Sequence, residues 1–156
     1  MELVLLRHGK AEDFNLDGDA ERALVERGHK QARRAAKLLQ GAERLPEVVL
    51  TSPRLRALET AESFCNKVSM PGPVKQSWLD CGMDPETAMR ELAAFNDFDR
   101  VMIVGHEPDF SGLVEWVLGC SGSFVEVKKG ALVGLEVNPP AMHATLAFLI
   151  PPKLIR

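Results

Sequence analysis

Leu3-Val4-Leu5-Leu6-Arg7-His8-Gly9 is a short apolar run stopped by an arginine, a histidine and a glycine. Four apolar residues without polar alternation describe a strand buried on both faces, the kind found in parallel sheets covered by helices. Val48-Val49-Leu50 repeats the pattern and leads into Thr51-Ser52-Pro53. Val101-Met102-Ile103-Val104 repeats it again and ends in Gly105-His106-Glu107-Pro108. Helical periodicity fills the spaces between. Residues 26–40 place Ala32, Ala35, Ala36 and Leu39 on one face, with Gly41 as a stop. A second helix is predicted to start with Ser52 as N-cap and Pro53 at the first helical position, and to run to about Asn66. A third is predicted over 86–96 behind Asp84-Pro85-Glu86. A fourth opens at Pro108, with Phe110, Leu113, Val114, Val117 and Leu118 at i, i+3, i+4, i+7 and i+8. Met70-Pro71-Gly72-Pro73 reads as a loop and Val74–Ser77 as a short strand. Residues 131–137 and 144–150 read as an antiparallel pair at or near a sheet edge, joined through Asn138-Pro139-Pro140. The alternation predicts an α/β three-layer sandwich, a mostly parallel central sheet with helices on both faces.

At 156 residues, with 46% hydrophobic and 26% charged residues, the chain reads as a single domain over 1–156 that can bury a core unaided. Its net charge of −3 argues against non-specific binding to nucleic acid or to an anionic membrane, although a basic pocket can sit inside an acidic total. No apolar stretch is long enough to span a bilayer, and the run after Met1-Glu2 is too short for a signal peptide. Cys65, Cys81 and Cys120 form no C-x-x-C motif and cannot all pair, which suggests reduced thiols in a cytoplasmic protein.

In parallel sheets, ligands bind beyond the carboxyl ends of the strands. There the three runs gather Arg7-His8-Gly9, Ser52-Pro53-Arg54 with Arg56, and Gly105-His106. Two histidines and two or three arginines at one edge make a small cationic pocket. Planar guanidinium groups match phosphate oxygens bidentately, and helices opening at Pro53 and Pro108 aim free N–H groups at the same anion. Gly9 and Gly105 permit close backbone approach. A neutral imidazole can attack phosphorus in line and carry the phosphoryl group, and a protonated one can stabilise the equatorial charge. The first role is assigned to His8 and the second to His106.

These residues carry a resemblance. Leu6-Arg7-His8-Gly9, Ser52-Pro53-Arg54-Leu55-Arg56-Ala57-Leu58-Glu59-Thr60-Ala61 and Val104-Gly105-His106-Glu107-Pro108 resemble, in order, the motifs of the histidine phosphatase superfamily. The short chain and Trp78-Leu79-Asp80-Cys81-Gly82 are similar to its SixA-type phosphohistidine phosphatases. The resemblance implies a phosphoglycerate mutase-like fold and a phospho-His8 intermediate. It implies Arg7, His8, Arg56 and His106 as catalytic residues, with Gly9 and Arg22 joining Arg7, Arg56 and His106 in substrate binding. Arg56 is chosen because it precedes the alanine of S-P-x-x-R-A, which leaves Arg54 as a solvent-facing helix residue. Arg22 stands in Arg22-Ala23-Leu24-Val25 where the family has R-P-L-T. Lys129 is read as part of a solvated turn.

Larger members add an insertion that carries a carboxylic general acid. Here Asp80, Asp84 and Glu86 are the candidates. Phosphohistidine needs such an acid least, because imidazole leaves readily once protonated, whereas a phosphate ester releases a more basic alkoxide. The expected activity is therefore a phosphohistidine phosphatase acting on a phosphotransfer domain or phosphocarrier, as a monomer, with phosphate-like oxyanions in the pocket and no cofactor. The alternatives are a phosphomonoesterase or mutase-like enzyme for small molecules, or a non-catalytic phosphate-binding module. A metal between His8 and His106 is disfavoured, since arginines would repel it. Asp13-Phe14-Asn15-Leu16-Asp17-Gly18 starts like a calcium loop but has Leu24 where a bidentate glutamate is needed. His29 and His143 are read as surface residues without partners.

Overall fold

A computed structural model describes all 156 residues. Six strands form one sheet in the order β3-β2-β4-β1-β5-β6. They are β1 (Glu2–Arg7), β2 (Val48–Thr51), β3 (Val74–Lys75), β4 (Arg100–Gly105), β5 (Leu132–Val137) and β6 (Ala144–Ile150). β1 lies parallel to β4, β4 to β2 and β2 to β3, while β5 runs antiparallel to both β1 and β6. The antiparallel pair thus closes one edge, as its Pro-rich connection suggests.

The helices are α1 (Glu26–Gly41), α2 (Leu55–Lys67), α3 (Pro85–Leu92) and α4 (Asp109–Leu118). Strand alternation explains why the central strands are apolar throughout. Leu3, Leu5, Val101 and Ile103 pack with Met89, Leu92, Phe110 and Leu113 of α3 and α4. Val4, Leu6, Met102 and Val104 point the other way, into Ala35, Leu39, Ala57 and Phe64 of α1 and α2. Every side chain of β1 and β4 between Leu3 and Leu6 and between Val101 and Val104 is fully buried, so a polar residue at any of them would enter a core.

Several boundaries differ from expectation for local reasons. α2 starts at Leu55 with Arg54 as N-cap, and Ser52 does not cap it, because its hydroxyl is engaged elsewhere. Gly41 is the last residue of α1 rather than its stop, and the left-handed turn falls on Glu43. The helix expected over 86–96 is α3 followed by a separate tight turn at Ala93–Phe95, with Asp84 capping it through Thr87 N–H at 2.9 Å. β3 stops at Lys75, before the expected Ser77.

Two glycines set the distance between the segment after β1 and the start of α1. A Cβ on Gly9 would lie 2.6 Å from the Gly28 carbonyl oxygen, and one on Gly28 only 2.2 Å from that of Lys10. α1 therefore seats directly on the backbone that carries His8. Gly28→Ala must push two backbones apart and is expected to lower stability by about 1–3 kcal/mol. Gly112, exposed inside α4 with open space around its Cα, should gain about 0.5–1 kcal/mol on change to alanine. Thermal unfolding of the two variants checks both signs; equal midpoints would refute the close-packing argument.

Candidate phosphoryl-transfer site

Backbone hydrogen bonds bring the three strand ends to one level. His8 N–H donates to the Gly105 carbonyl at 3.0 Å, and Ser52 N–H to that of Val104 at 3.0 Å. His8 and His106 follow directly, with ring centroids 5.3 Å apart and planes inclined by 55°. Both are buried, as is Arg56. The pocket predicted from the strand ends is thus assembled, with Arg7, His8, Arg56 and His106 in it.

Each side chain is held by identifiable partners. His8 Nδ1 lies 2.8 Å from the Gly9 carbonyl oxygen. A carbonyl only accepts, so Nδ1 carries the proton and Nε2 is left with its lone pair. Gly9 is fixed in turn, its N–H donating to Thr60 Oγ1 at 3.0 Å, while that hydroxyl donates to the Arg56 carbonyl at 2.7 Å. The threonine at the end of the S-P-x-x-R-A-x-x-T stretch therefore ties α2 to the segment bearing His8. His106 Nε2 sits 2.7 Å from Ser52 Oγ, which also accepts from Arg54 N–H at 3.3 Å. Ser52 consequently orients His106 instead of capping α2.

Burial pushes the His8 pKa down to about 3, with further lowering by the charges of His106, Arg56 and Arg7. Burial likewise lowers His106 to about 4, reinforced by Arg56 and Arg54. Both imidazoles are accordingly neutral at pH 7. This suits His8 as a nucleophile and corrects the expectation of a resident protonated His106. A phosphoryl dianion beside His106 would draw its pKa back upward.

Buried polar atoms without partners point to what the site binds. Four side-chain atoms qualify: Glu2 Oε1, Arg100 Nε, Arg7 Nε and His106 Nδ1. Glu2 and Arg100 answer each other as an ion pair at 3.2 Å. The remaining two, Arg7 Nε and His106 Nδ1, both belong to the strand-end pocket. Arg7 Nη1 is anchored on the Val127 carbonyl at 2.9 Å, and burial lowers the guanidinium's pKa. An orphaned guanidinium N–H in a buried pocket calls for an acceptor, and His106 Nδ1 can join it as a donor when it carries the proton.

The structure adds residues that sequence reasoning did not select. Asp19 faces three arginines. It accepts from Arg22 Nη1 at 2.9 Å and Arg56 Nη2 at 3.1 Å, and it pairs with Arg54. The hydrogen bond from Arg22, followed by those from Arg56 and Arg54, holds its carboxyl at about 2. Arg22 is thus at the rim as expected. Arg54 is there too, contrary to the solvent-facing reading, because its Nε donates to Asp80 at 2.6 Å. Arg56 also reaches Cys81 Sγ at 3.7 Å.

Of the three candidate acids, only Asp80 is beside the site. Burial raises its pKa, but Arg54 and the Cys81 N–H more than reverse this and leave it below the usual range. Asp84 is spent on capping α3, and Glu86 is exposed in that helix's first turn. Asp80, the one of the three beside the site, is therefore held in its ionised form rather than poised as an acid. Asp80, Cys81 and His106 place donor atoms within 4.8 Å of one another, a spacing that could hold a cation, but Arg54 and Arg56 crowd the same space. His29 is not partnerless as expected: its Nδ1 lies 2.7 Å from Ser63 Oγ. His143 is exposed.

A family model described as the histidine phosphatase superfamily, branch 1, matches residues 3–83. An uncharacterised protein of Picosynechococcus sp. is 31% identical over 92% of this chain and 90% of its own length. A 2,3-bisphosphoglycerate-dependent phosphoglycerate mutase of Streptomyces griseus is 40% identical over 49% of this chain, which matches only 32% of the mutase. Among solved structures, the protein histidine phosphatase SixA complexed with tungstate covers 100% of both chains at a TM-score of 0.89 and 24% identity, so the fold is that of SixA.

The lowered histidine pKa values make stability depend on pH. In the unfolded chain both imidazoles take up protons near pH 6.5, whereas in the folded chain they do not until about 4 and 3. Between those limits the unfolded state binds up to two more protons, so stability falls as pH falls from about 6.5 toward 4, by roughly 1.5–2.5 kcal/mol per pH unit. Above pH 7.5 the effect vanishes. Thermal midpoints between pH 8 and 4.5 check this, and His8→Asn combined with His106→Asn should remove most of the slope. A wild-type midpoint that stays level down to pH 5 would mean that both rings titrate normally.

Proposed function

Since the chain belongs to the histidine phosphatase superfamily, we propose that it is a phosphohistidine phosphatase working through a covalent phospho-His8 intermediate. The observation that carries this reading is the Nδ1–H of His8 held on the Gly9 carbonyl. It leaves Nε2 unprotonated and fixed in direction, as an in-line nucleophile requires. In the first step Nε2 forms a bond to phosphorus as the substrate's P–N bond breaks, and the substrate imidazole, protonated on its other nitrogen, leaves neutral. In the second, water adds to phosphorus, the His8–phosphorus bond breaks with its electron pair returning to Nε2, and hydrogen phosphate departs while the water's other proton is released to solvent. Arg7, Arg56 and His106, with Arg22 at the rim, hold the phosphoryl oxygens, and Gly9 allows their close approach to the backbone. No metal or cofactor has a step to perform.

The choice of phosphohistidine over a phosphate ester rests on the leaving group. An ester needs a carboxylic acid that stays protonated near neutral pH. Asp80 is driven the other way by Arg54, and Asp19 by Arg22, Arg56 and Arg54. Phosphohistidine brings its own proton and tolerates a pocket with ionised carboxylates. The substrate would be a phosphohistidine of another protein, such as a phosphotransfer domain or phosphocarrier, met in the cytoplasm, where Cys65, Cys81 and Cys120 stay unbridged.

Purified protein should hydrolyse phosphohistidine with kcat/KM at least 100-fold above that for sugar or glycerate phosphates. Acid-labile phosphate should be trapped on the wild type and absent from His8→Ala, whose rate should fall by about 10³-fold or more. Arg56→Ala should cost about 10²–10³-fold. Faster turnover of phosphate esters would assign the small-molecule phosphomonoesterase or mutase-like reading instead. Oxyanion binding without turnover of either class would leave a phosphate-binding module.

A further inference from the structure

The protein is acidic overall, yet one face of α1 is basic. Arg27, Lys30 and Arg34 recur at i, i+3 and i+7, so they form a single exposed stripe about 10 Å long. The stripe meets Lys153, from the turn after β6, in a recess of about 120 Å³. A second recess of about 280 Å³ continues from Arg27 and Lys153 past Lys10 and Lys129 to Arg7. Arg7 belongs to the phosphoryl pocket, so the basic path runs unbroken from the reacting phosphorus to the far end of the stripe.

The path is not neutralised from within. Lys10 meets Asp13 at 3.8 Å and Lys128 meets Glu126 at 3.9 Å, both as surface pairs of little energy. Arg27, Lys30, Arg34, Lys129 and Lys153 take part in no ion pair, while Arg33, just off the stripe, does pair with Glu26. Lys129 lies in a turn, as expected, and is only partly exposed there. Burial lowers its pKa first, and the charges of Lys10, Arg7 and Arg22 lower it further. The turn that carries it is pinned by Gly130 N–H donating to the Arg7 and His8 carbonyls at 3.1 and 3.2 Å.

We propose that this basic path is a docking surface for an acidic stretch of the phosphohistidine-bearing protein, with the α1 stripe reading carboxylates that lie beyond the phosphorylated residue. The proposal rests on the phosphohistidine reading above and specifies the partner's chemistry. The larger recess is lined by six cationic side chains with Gln31 and Pro152 and by no aromatic ring, so its chemistry favours an extended polyanion. A small polyanion anchored at Arg7 would fill that recess without touching Lys30 and Arg34. A peptide or helix with spaced carboxylates would engage both recesses and the stripe between them. Such contacts act on encounter and on substrate choice, and they are screened by salt.

Two synthetic peptides test this, each with one phosphohistidine, one carrying glutamates at helical spacing beyond it and one carrying glutamines there. The wild type should favour the glutamate peptide by about 10-fold or more in kcat/KM at low salt, and the preference should collapse near about 0.5 M salt. Arg27→Glu/Lys30→Glu/Arg34→Glu should abolish or invert it, and the milder Arg27→Gln/Lys30→Gln/Arg34→Gln should erase most of it. Both variants should keep the wild-type unfolding midpoint and kcat/KM for free phosphohistidine. Equal turnover of the two peptides by the wild type, or a preference that survives in both variants, would overturn the docking proposal and leave the phosphatase reading intact. A wild type that hydrolyses neither peptide nor free phosphohistidine would overturn the phosphatase reading, and the docking proposal with it.

Discussion

The site depends on the register between β1 and β4. Arg7 stands opposite Gly105, and the next amide, that of His8, donates to the Gly105 carbonyl. β2 joins at the same level through Ser52 N–H and the Val104 carbonyl. Three segments far apart in sequence thus leave the sheet at one height and must turn within a few ångströms of each other. Because one face of each strand is packed on α1 and α2 and the other on α3 and α4, slipping by one residue would exchange the two buried faces. Hydrophobic packing on both sides of the sheet therefore sets the 5.3 Å between His8 and His106.

That placement makes the electrostatics follow. Two imidazoles buried beside Arg7 and Arg56 lose their protons, and the nucleophile is prepared without a dedicated base. The same arginines would repel one another were no anion near. Asp19 supplies one, spanning Arg22, Arg54 and Arg56 from a half-exposed position, and it offsets guanidinium charge that a phosphoryl group later shares. Arg7 Nε and His106 Nδ1 have no such internal partner. The polar atoms thus divide into those with a protein partner and those left open toward the pocket.

The framework was legible because it rests on strong, local signals. Continuous apolar runs marked the central strands, 3.6-residue periodicity marked the helices, and a histidine after each of two such strands marked the pocket. The general placement of Arg22 at the rim also came through. What escaped detection depends on partners distant in sequence. Ser52 reads as an ideal N-cap by its neighbours, but His106, 54 residues away, takes its hydroxyl. Arg54 reads as an outward helix residue, until Asp19 and Asp80 arrive from separate loops. Asp19 itself stands in a polar stretch with no motif around it. His29 gains Ser63 only through the packing of α1 on α2. The basic stripe at 27, 30 and 34 carries no motif and escaped the sequence reading; it acquires meaning only when the turn at Lys129 and the segment at Lys153 close on it.

Net charge is the coarsest of these signals, and its reading changes most. A sum of −3 describes the average surface, whereas recognition depends on where unpaired charge collects. Here cations collect twice, at the strand ends, where Asp19 pairs Arg22, Arg54 and Arg56 but not Arg7, and along α1, whose adjoining recess Arg7 also lines. A single phosphoryl group, on the proposed function, would satisfy the first collection and leave the second untouched. The second lies on an open face, where exposed side chains are free to exchange one acidic partner for another. On the proposed docking, chemistry and partner choice would vary separately: substitutions along the stripe would alter which protein is met, while the buried residues at the strand ends would keep the reaction at phosphorus the same.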